Sequence, residues 1–373
     1  MKVTVLKENL HQAVNTVSRF IATKAQLPVL GNVLITADKQ LKLSATNLET
    51  GINYWIGAKI DKEGSISIPA RLFAEFVASL PPEKVELEIV DNSLFLKSGG
   101  FQASFIGIGT NEFPIVPTNQ SQPKIALACQ NLAKIFSQVI FAAAQDESRP
   151  VLGGILLKIK DGELVAVATD GYRLSLKKIK EIKGVEKIEE FKNGLLIPAK
   201  TLTEIGRLID EKKSETLGMT ITPESNQVIF SLNEAEVVSR LIEGDFPDYE
   251  KIIPTGNTTK VTFEKEEFLR AVKMASLFAR ESANIIKLDI NSKTVKIMAN
   301  APQLGDNISE IVAKTEGEET KIAFNAKYLL DFLAVAGSET ITLKASGPLN
   351  PGVFTVGSDN TYLHIIMPVR VQE

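Results

Sequence analysis

The 373 residues include one cysteine, two histidines and one tryptophan. A lone Cys129 cannot close an intramolecular disulfide, and it cannot build a structural zinc cluster with only His11 and His364. The motifs that carry chemistry are missing too. No GxxxxGK[ST] loop, HExxH pair, GxSxG elbow or CxxC pair occurs, so nucleotide hydrolysis, zinc proteolysis, serine hydrolysis and dithiol exchange lose their strongest signals. No apolar run approaches the roughly 18 residues of a membrane span. The opening Met1-Lys2-Val3-Thr4-Val5-Leu6-Lys7-Glu8 meets charge before a signal-peptide core can form, which points to a cytosolic protein. Five tyrosines and a single tryptophan supply few platforms for stacking unpaired bases.

What remains is an ordinary globular composition, 44% hydrophobic and 23% charged with a formal net charge of -3. It excludes disordered and collagen-like chains. A pI near 5.8 excludes a uniformly basic nucleic-acid coat. The length fits two or three domains.

The chain repeats itself. Leu10, Ala13, Val14, Val17 and Ile21 form a helical stripe, matched a third of the chain later by Leu132, Ile135, Phe136, Val139 and Ile140. Pro28-Val29-Leu30-Gly31-Asn32 is answered by Pro150-Val151-Leu152-Gly153-Gly154. A second anchor occurs three times, as Ile68-Pro69-Ala70-Arg71, Ile197-Pro198-Ala199-Lys200 and Phe324-Asn325-Ala326-Lys327. Each opens a helix with an apolar stripe, such as Leu72, Phe73, Phe76, Val77 and Leu80, or Leu202, Ile205, Leu208 and Ile209. Pro or Asn at the start is a helix-entry signal.

These periods predict six helices, at 6–20, 70–80, 130–141, 199–210, 265–280 and 325–335. In the first third the expected strands are 2–6, 28–36, 41–46, 52–60, 65–68, 84–90, 93–97 and 101–107. The fold class is α+β, with three similar domains of two βαβββ halves each. Polar, proline-marked joints set the domains at 1–120, 123–252 and 256–373.

Charge is unevenly spread. The six helices carry eleven basic residues against seven acidic ones, so the strands and loops hold the negative excess. Arg71, Lys200 and Lys327 occupy equivalent first-turn positions, where the helix dipole by itself would favour Asp or Glu. A cation beside a helix N-terminus attracts phosphate. Ordinary solvated helix faces explain the total charge equally well. Three single residues invite catalytic readings, and each has a structural one. Asp170 precedes Gly171 between strand patterns and reads first as a turn. His364 lies in an alternating strand as a packed or surface residue. Cys129 sits at a helix start as buried packing.

Five segments in order within this threefold repeat resemble the family of bacterial sliding clamps, the beta subunits of DNA polymerase III. They are Leu27-Pro28-Val29-Leu30-Gly31-Asn32, Arg149-Pro150-Val151-Leu152-Gly153-Gly154, Ala168-Thr169-Asp170-Gly171-Tyr172-Arg173-Leu174, Asp245-Phe246-Pro247-Asp248-Tyr249 and Met367-Pro368-Val369-Arg370. The resemblance spans the chain. It implies DNA-clamp domains in a head-to-tail homodimeric ring whose helices line the hole. Such a ring encircles duplex DNA without reading sequence and tethers the replicative polymerase catalytic subunit. It catalyses nothing and needs no cofactor or metal. Its other partners are the clamp loader and further proteins carrying a clamp-binding motif.

By the family's pattern, the DNA-facing residues are Lys24, Arg71, Arg149, Lys200 and Lys327. A partner-peptide cleft between the second and third domains uses Leu152, Thr169, Gly171, Tyr172, Arg173, Leu174, Pro247, Lys251, Ile252, Asn325, Tyr328, Ile365, Ile366, Met367, Pro368, Val369 and Arg370. These meet only if the C-terminal strand returns to the edge of the second domain. For Ile365, Ile366 and Met367 the alternative is plain strand core. Tyr172 stands where the family often has His, Gln372 and Glu373 follow its usual end, and the third domain has no Pro-Val-Leu-Gly copy. The subunit seam is expected where the edge strand near Phe105 meets the third domain of the other chain. Two other classes compete with the clamp: an enzyme built around Asp170, and a repeat-built interaction scaffold that never meets DNA.

Overall fold

The computed structural model describes residues 1–22, 27–119, 125–146, 148–180, 191, 193–222 and 226–370. The long helices are α1 (Lys7–Val17), α2 (Ala70–Ser79), α3 (Cys129–Val139), α4 (Ala199–Lys212), α5 (Lys265–Ala279) and α6 (Ala326–Val335). They fall where the periodicity places them, with α1 and α3 each tightening into a 3-10 turn at its C-terminal end. Asn325 caps α6 by accepting the Lys327 N–H at 2.9 Å. Leu72 departs from its expected stripe. It lies one position before the buried Phe73, about 100° around the helix, and is exposed.

Two expected strands differ. Residues 28–31 form a 3-10 turn, and the strand Asn32–Ala37 starts after it. Pro28 has no N–H to give a ladder, and its fixed φ starts a helical turn readily. The same turn recurs at Pro150–Gly153. The expected 52–60 strand is two, Thr50–Ile56 and Lys59–Lys62, interrupted at Gly57-Ala58. The third repeat, lacking Pro-Val-Leu-Gly, turns instead on Ala283 and Asn284, both at positive φ (54° and 60°), before the strand Ile285–Ile290.

The chain groups into two compact units, Met1–Gln130 with Thr203–Leu241 and Asn131–Leu202 with Ile242–Glu373. The middle repeat is thus shared, because strands pair across repeat borders. In the first unit an eight-stranded sheet is joined where Ala235–Arg240 pairs antiparallel with Thr50–Ile56, Ala235 opposite Tyr54. A five-stranded sheet ends at Phe101–Ile106. In the second unit a twelve-stranded sheet is joined where Arg173–Ile179 pairs with Asp359–Ile366, so the C-terminal strand returns as the family resemblance implies.

The second unit's cores sit on both sides of that join. Phe263 stacks on Phe268 at 4.3 Å, and Phe332, Phe354, Tyr362 and Ile366 share the same cluster. Leu174, Leu176, Tyr249, Val353 and Ile365 form a second cluster. No helix among the described residues is long and apolar enough to cross a membrane.

Candidate functional site

The turn between Glu163–Thr169 and Arg173–Ile179 is built by its own side chains. The Asp170 carboxylate accepts the Tyr172 and Arg173 N–H groups, each at 2.9 Å. Thr169 donates its hydroxyl to the Arg173 carbonyl at 2.6 Å and accepts the Gly171 N–H at 3.1 Å. Gly171 has φ +91°, and a Cβ there would come within 3.2 Å of the Arg149 guanidinium, so both conformation and space favour glycine. Asp170 is therefore a turn former, as its Asp-Gly context indicates.

Arg173 lies beneath the turn with 6% of its side chain exposed. Its guanidinium donates to Asp170 at 3.1 Å, to Asp331 at 2.6 Å and to the Phe141 carbonyl at 2.6 Å. It also lies over the Tyr328 ring at 4.6 Å. Burial, then the Asp170 charge, holds the Tyr328 phenol above its ordinary range.

At the surface the Tyr172 carbonyl accepts the Met367 N–H at 2.8 Å, where the chain leaves its strand. Val369 then donates to the Ala323 carbonyl at 2.8 Å. Tyr172 is 60% exposed and Met367 38%, while Ile365 and Ile366 are buried in the two separate clusters. Alternation along the strand explains the split between these two neighbours. Ile252 and Phe246 pack on the cluster holding Leu174 and Ile365, and Pro247 is exposed between Phe246 and Tyr249.

Other candidate cleft residues are placed less centrally. Leu152 is buried in its 3-10 turn, Asn325 caps α6, and Pro368 is half-buried. Lys251 points outward and pairs with Asp248 at 2.9 Å, a contact that raises the amine and lowers the carboxyl. Arg370 is exposed.

The sequence reading misses Asp331 and Phe141, whose signal is purely three-dimensional.

Four of the five cations expected to face DNA lie among the described residues. Arg71 is almost fully exposed and pairs with Glu75 at 3.1 Å along its helix. Lys200, Lys327 and Arg149 are exposed, and Lys24 lies outside the described residues, as do Gln372 and Glu373. Arg19 is tied to Glu204 and Glu211, and Arg207 to Glu204, so these two helix cations are already partnered within the protein. Among the described residues, no group of three or more His, Cys, Asp or Glu side chains is placed to hold a metal ion. The site offers apolar side chains, backbone groups and an arginine whose three nitrogens already donate within the protein, which together suit binding.

Residues 1–117, 126–248 and 250–370 match the N-terminal, central and C-terminal domains of the DNA polymerase III beta subunit. The chain belongs to that family. It is 32% identical to the beta sliding clamp of Bacillus subtilis (strain 168), over 99% of this chain and 100% of that protein. The crystal structure of the Bacillus subtilis DNA polymerase sliding clamp covers 100% of both chains with a TM-score of 0.92 at 31% identity. A Bartonella birtlesii clamp bound to griselimycin superposes with a TM-score of 0.94 at 27% identity, again over 100% of both. Three clamp domains of mixed helices and sheets are therefore the architecture of this family member.

Proposed function

We propose that the protein is a non-catalytic sliding clamp that encircles duplex DNA and tethers the replicative polymerase, conferring processivity. The observation that carries this reading is that all three domains, across the full chain, match one family whose members are clamps. The exposed cations Arg71, Arg149, Lys200 and Lys327 suit sequence-blind phosphate contacts that form and break cheaply. Weak contacts then suffice, because a closed ring is retained by topology.

Two open strand edges support closure into a head-to-tail homodimer. Among the described strands, Phe101–Ile106 pairs only with Ser93–Ser98, and Ile106 is 79% exposed. In the other unit, the strand Gly305–Gly317 has one edge covered by Thr259–Glu264 only from Ala313 onward, leaving Ile308 and Val312 exposed. Long exposed edges with apolar side chains are aggregation hazards unless a second chain pairs with them. Isologous or ring-closing symmetry is the common solution.

The partner cleft is assigned to Leu174, Pro247, Tyr172 and Met367 with their neighbours, for the polymerase, the clamp loader and other clamp-binding proteins. Griselimycin, bound by the Bartonella birtlesii clamp, is proposed as a ligand of the same surface.

The test is loading by a clamp loader onto nicked circular DNA, followed by linearisation. The protein should persist on circles and be lost from linear ends. Equal retention on both forms overturns the clamp reading in favour of an interaction scaffold.

A further inference from the structure

We propose that Asp331 is a positioning residue for partner binding: through Arg173 it holds the Thr169–Arg173 turn and the strand exit at Met367 in the shape an incoming peptide requires. The inference rests on the cleft assignment above and explains what keeps that cleft in register.

The Arg173 guanidinium is committed to the protein, to Asp170, Asp331 and the Phe141 carbonyl, with Tyr328 against its face. A side chain this buried, with each of its three nitrogens already donating, has little left to offer a ligand, so its influence on the cleft runs through what it holds. Its backbone belongs to the binding surface. Arg173 pairs with Ile366, and the next contact outward is the Met367 N–H on the Tyr172 carbonyl.

Of the three acceptors, Asp170 is local and also carries the turn's own backbone bonds. The Phe141 carbonyl lies in the three-residue 3-10 turn that follows α3. Asp331 is the distant one. It sits on α6, one turn beyond Tyr328, and ties that helix to the turn over 158 residues of sequence. Removing its charge turns a short charge-assisted hydrogen bond to a buried N–H of Arg173 into a weaker neutral one and loosens the hold on the guanidinium. Movement there passes to the residues on either side, Tyr172 and Leu174.

The full-length protein is titrated with griselimycin by calorimetry, with amide hydrogen exchange measured at Met367. Asp331→Asn, which keeps the shape and drops the charge, should weaken griselimycin binding about tenfold and speed exchange at Met367. Asp331→Glu, which keeps the carboxylate, should recover most of the affinity. Arg173→Lys keeps the charge without the fork and should weaken binding like Asp331→Asn.

Met367→Asp tests the cleft itself by placing a charge in its wall. If it abolishes binding while Asp331→Asn and Arg173→Lys bind normally, the positioning role is wrong and the cleft stands. A lower melting temperature with unchanged affinity likewise reduces Asp331 to a stabilising ion pair. Normal binding by Met367→Asp overturns the cleft assignment and this inference with it.

Discussion

His364 is sealed between the rings of Phe332, stacked at 5.0 Å and 6°, and Phe141 at 5.3 Å. Its Nδ1 shares a 2.6 Å hydrogen bond with the Ser175 hydroxyl, and its Nε2 has no partner among the described residues. Burial, with the nearby Arg173 charge second, pushes its pKa down from 6.5 to about 3. The neutral ring is therefore favoured in the fold, whereas the unfolded chain takes up a proton below about 6.5. Stability from this residue is complete above that value and falls as pH drops, by about 1.4 kcal/mol per pH unit at most, until the folded ring itself titrates. Urea midpoints should decline from pH 7 to pH 5, and His364→Asn should flatten that decline. An equal decline in the variant would assign the effect to other groups. The sequence shows His364 in an alternating strand but not which face it takes.

At the scale of the element, the strand Arg173–Ile179 has two faces of opposite character. Leu174 and Leu176 enter an apolar cluster with Ile365 and Tyr249. Arg173, Ser175 and Lys177 point the other way, to Asp331, His364 and Asp359, the last at 2.7 Å. Alternation is what a strand of period two imposes, and polar partners satisfy what it buries. The helices show the same economy, with apolar stripes inward and a cation in the first turn of α2, α4 and α6. Changing Arg71, Lys200 and Lys327 together to Ala should weaken DNA contact and flatten its salt dependence, by up to about three counterions in the log–log slope. The fold should persist, since all three side chains are exposed. An unchanged slope would mean that these cations do not meet phosphate.

For the whole molecule, the proposed function turns on closure into a ring. A dimer should have roughly twice the 40.7 kDa chain mass. Ile106→Asp places a charge on the open edge at Phe101–Ile106, a substitution that opposes edge pairing. Light scattering should find this variant shifted to the monomer mass, and circular-DNA retention should be lost with it. A variant that remains dimeric would move the seam elsewhere.

The helices, the Thr169–Arg173 turn and the repeats were determined by the sequence alone, because they follow from short-range rules: apolar period, turn chemistry and recurrence. The return of the last strand was implied by the family resemblance, whose cleft residues require Arg173 and Met367 to meet. Which strands join across repeat borders was decided by tertiary structure, as with Ala235 opposite Tyr54. Such pairings depend on contacts between residues far apart in the chain, which no local pattern encodes. Tertiary structure also decided that Met367 reaches solvent while Ile366 joins a core. Period two sets the alternation of neighbours, but only the packed sheet and its helices determine which side is buried. The three-way hold on Arg173 is of the same kind, since Asp331, Asp170 and Phe141 converge on it from separate elements.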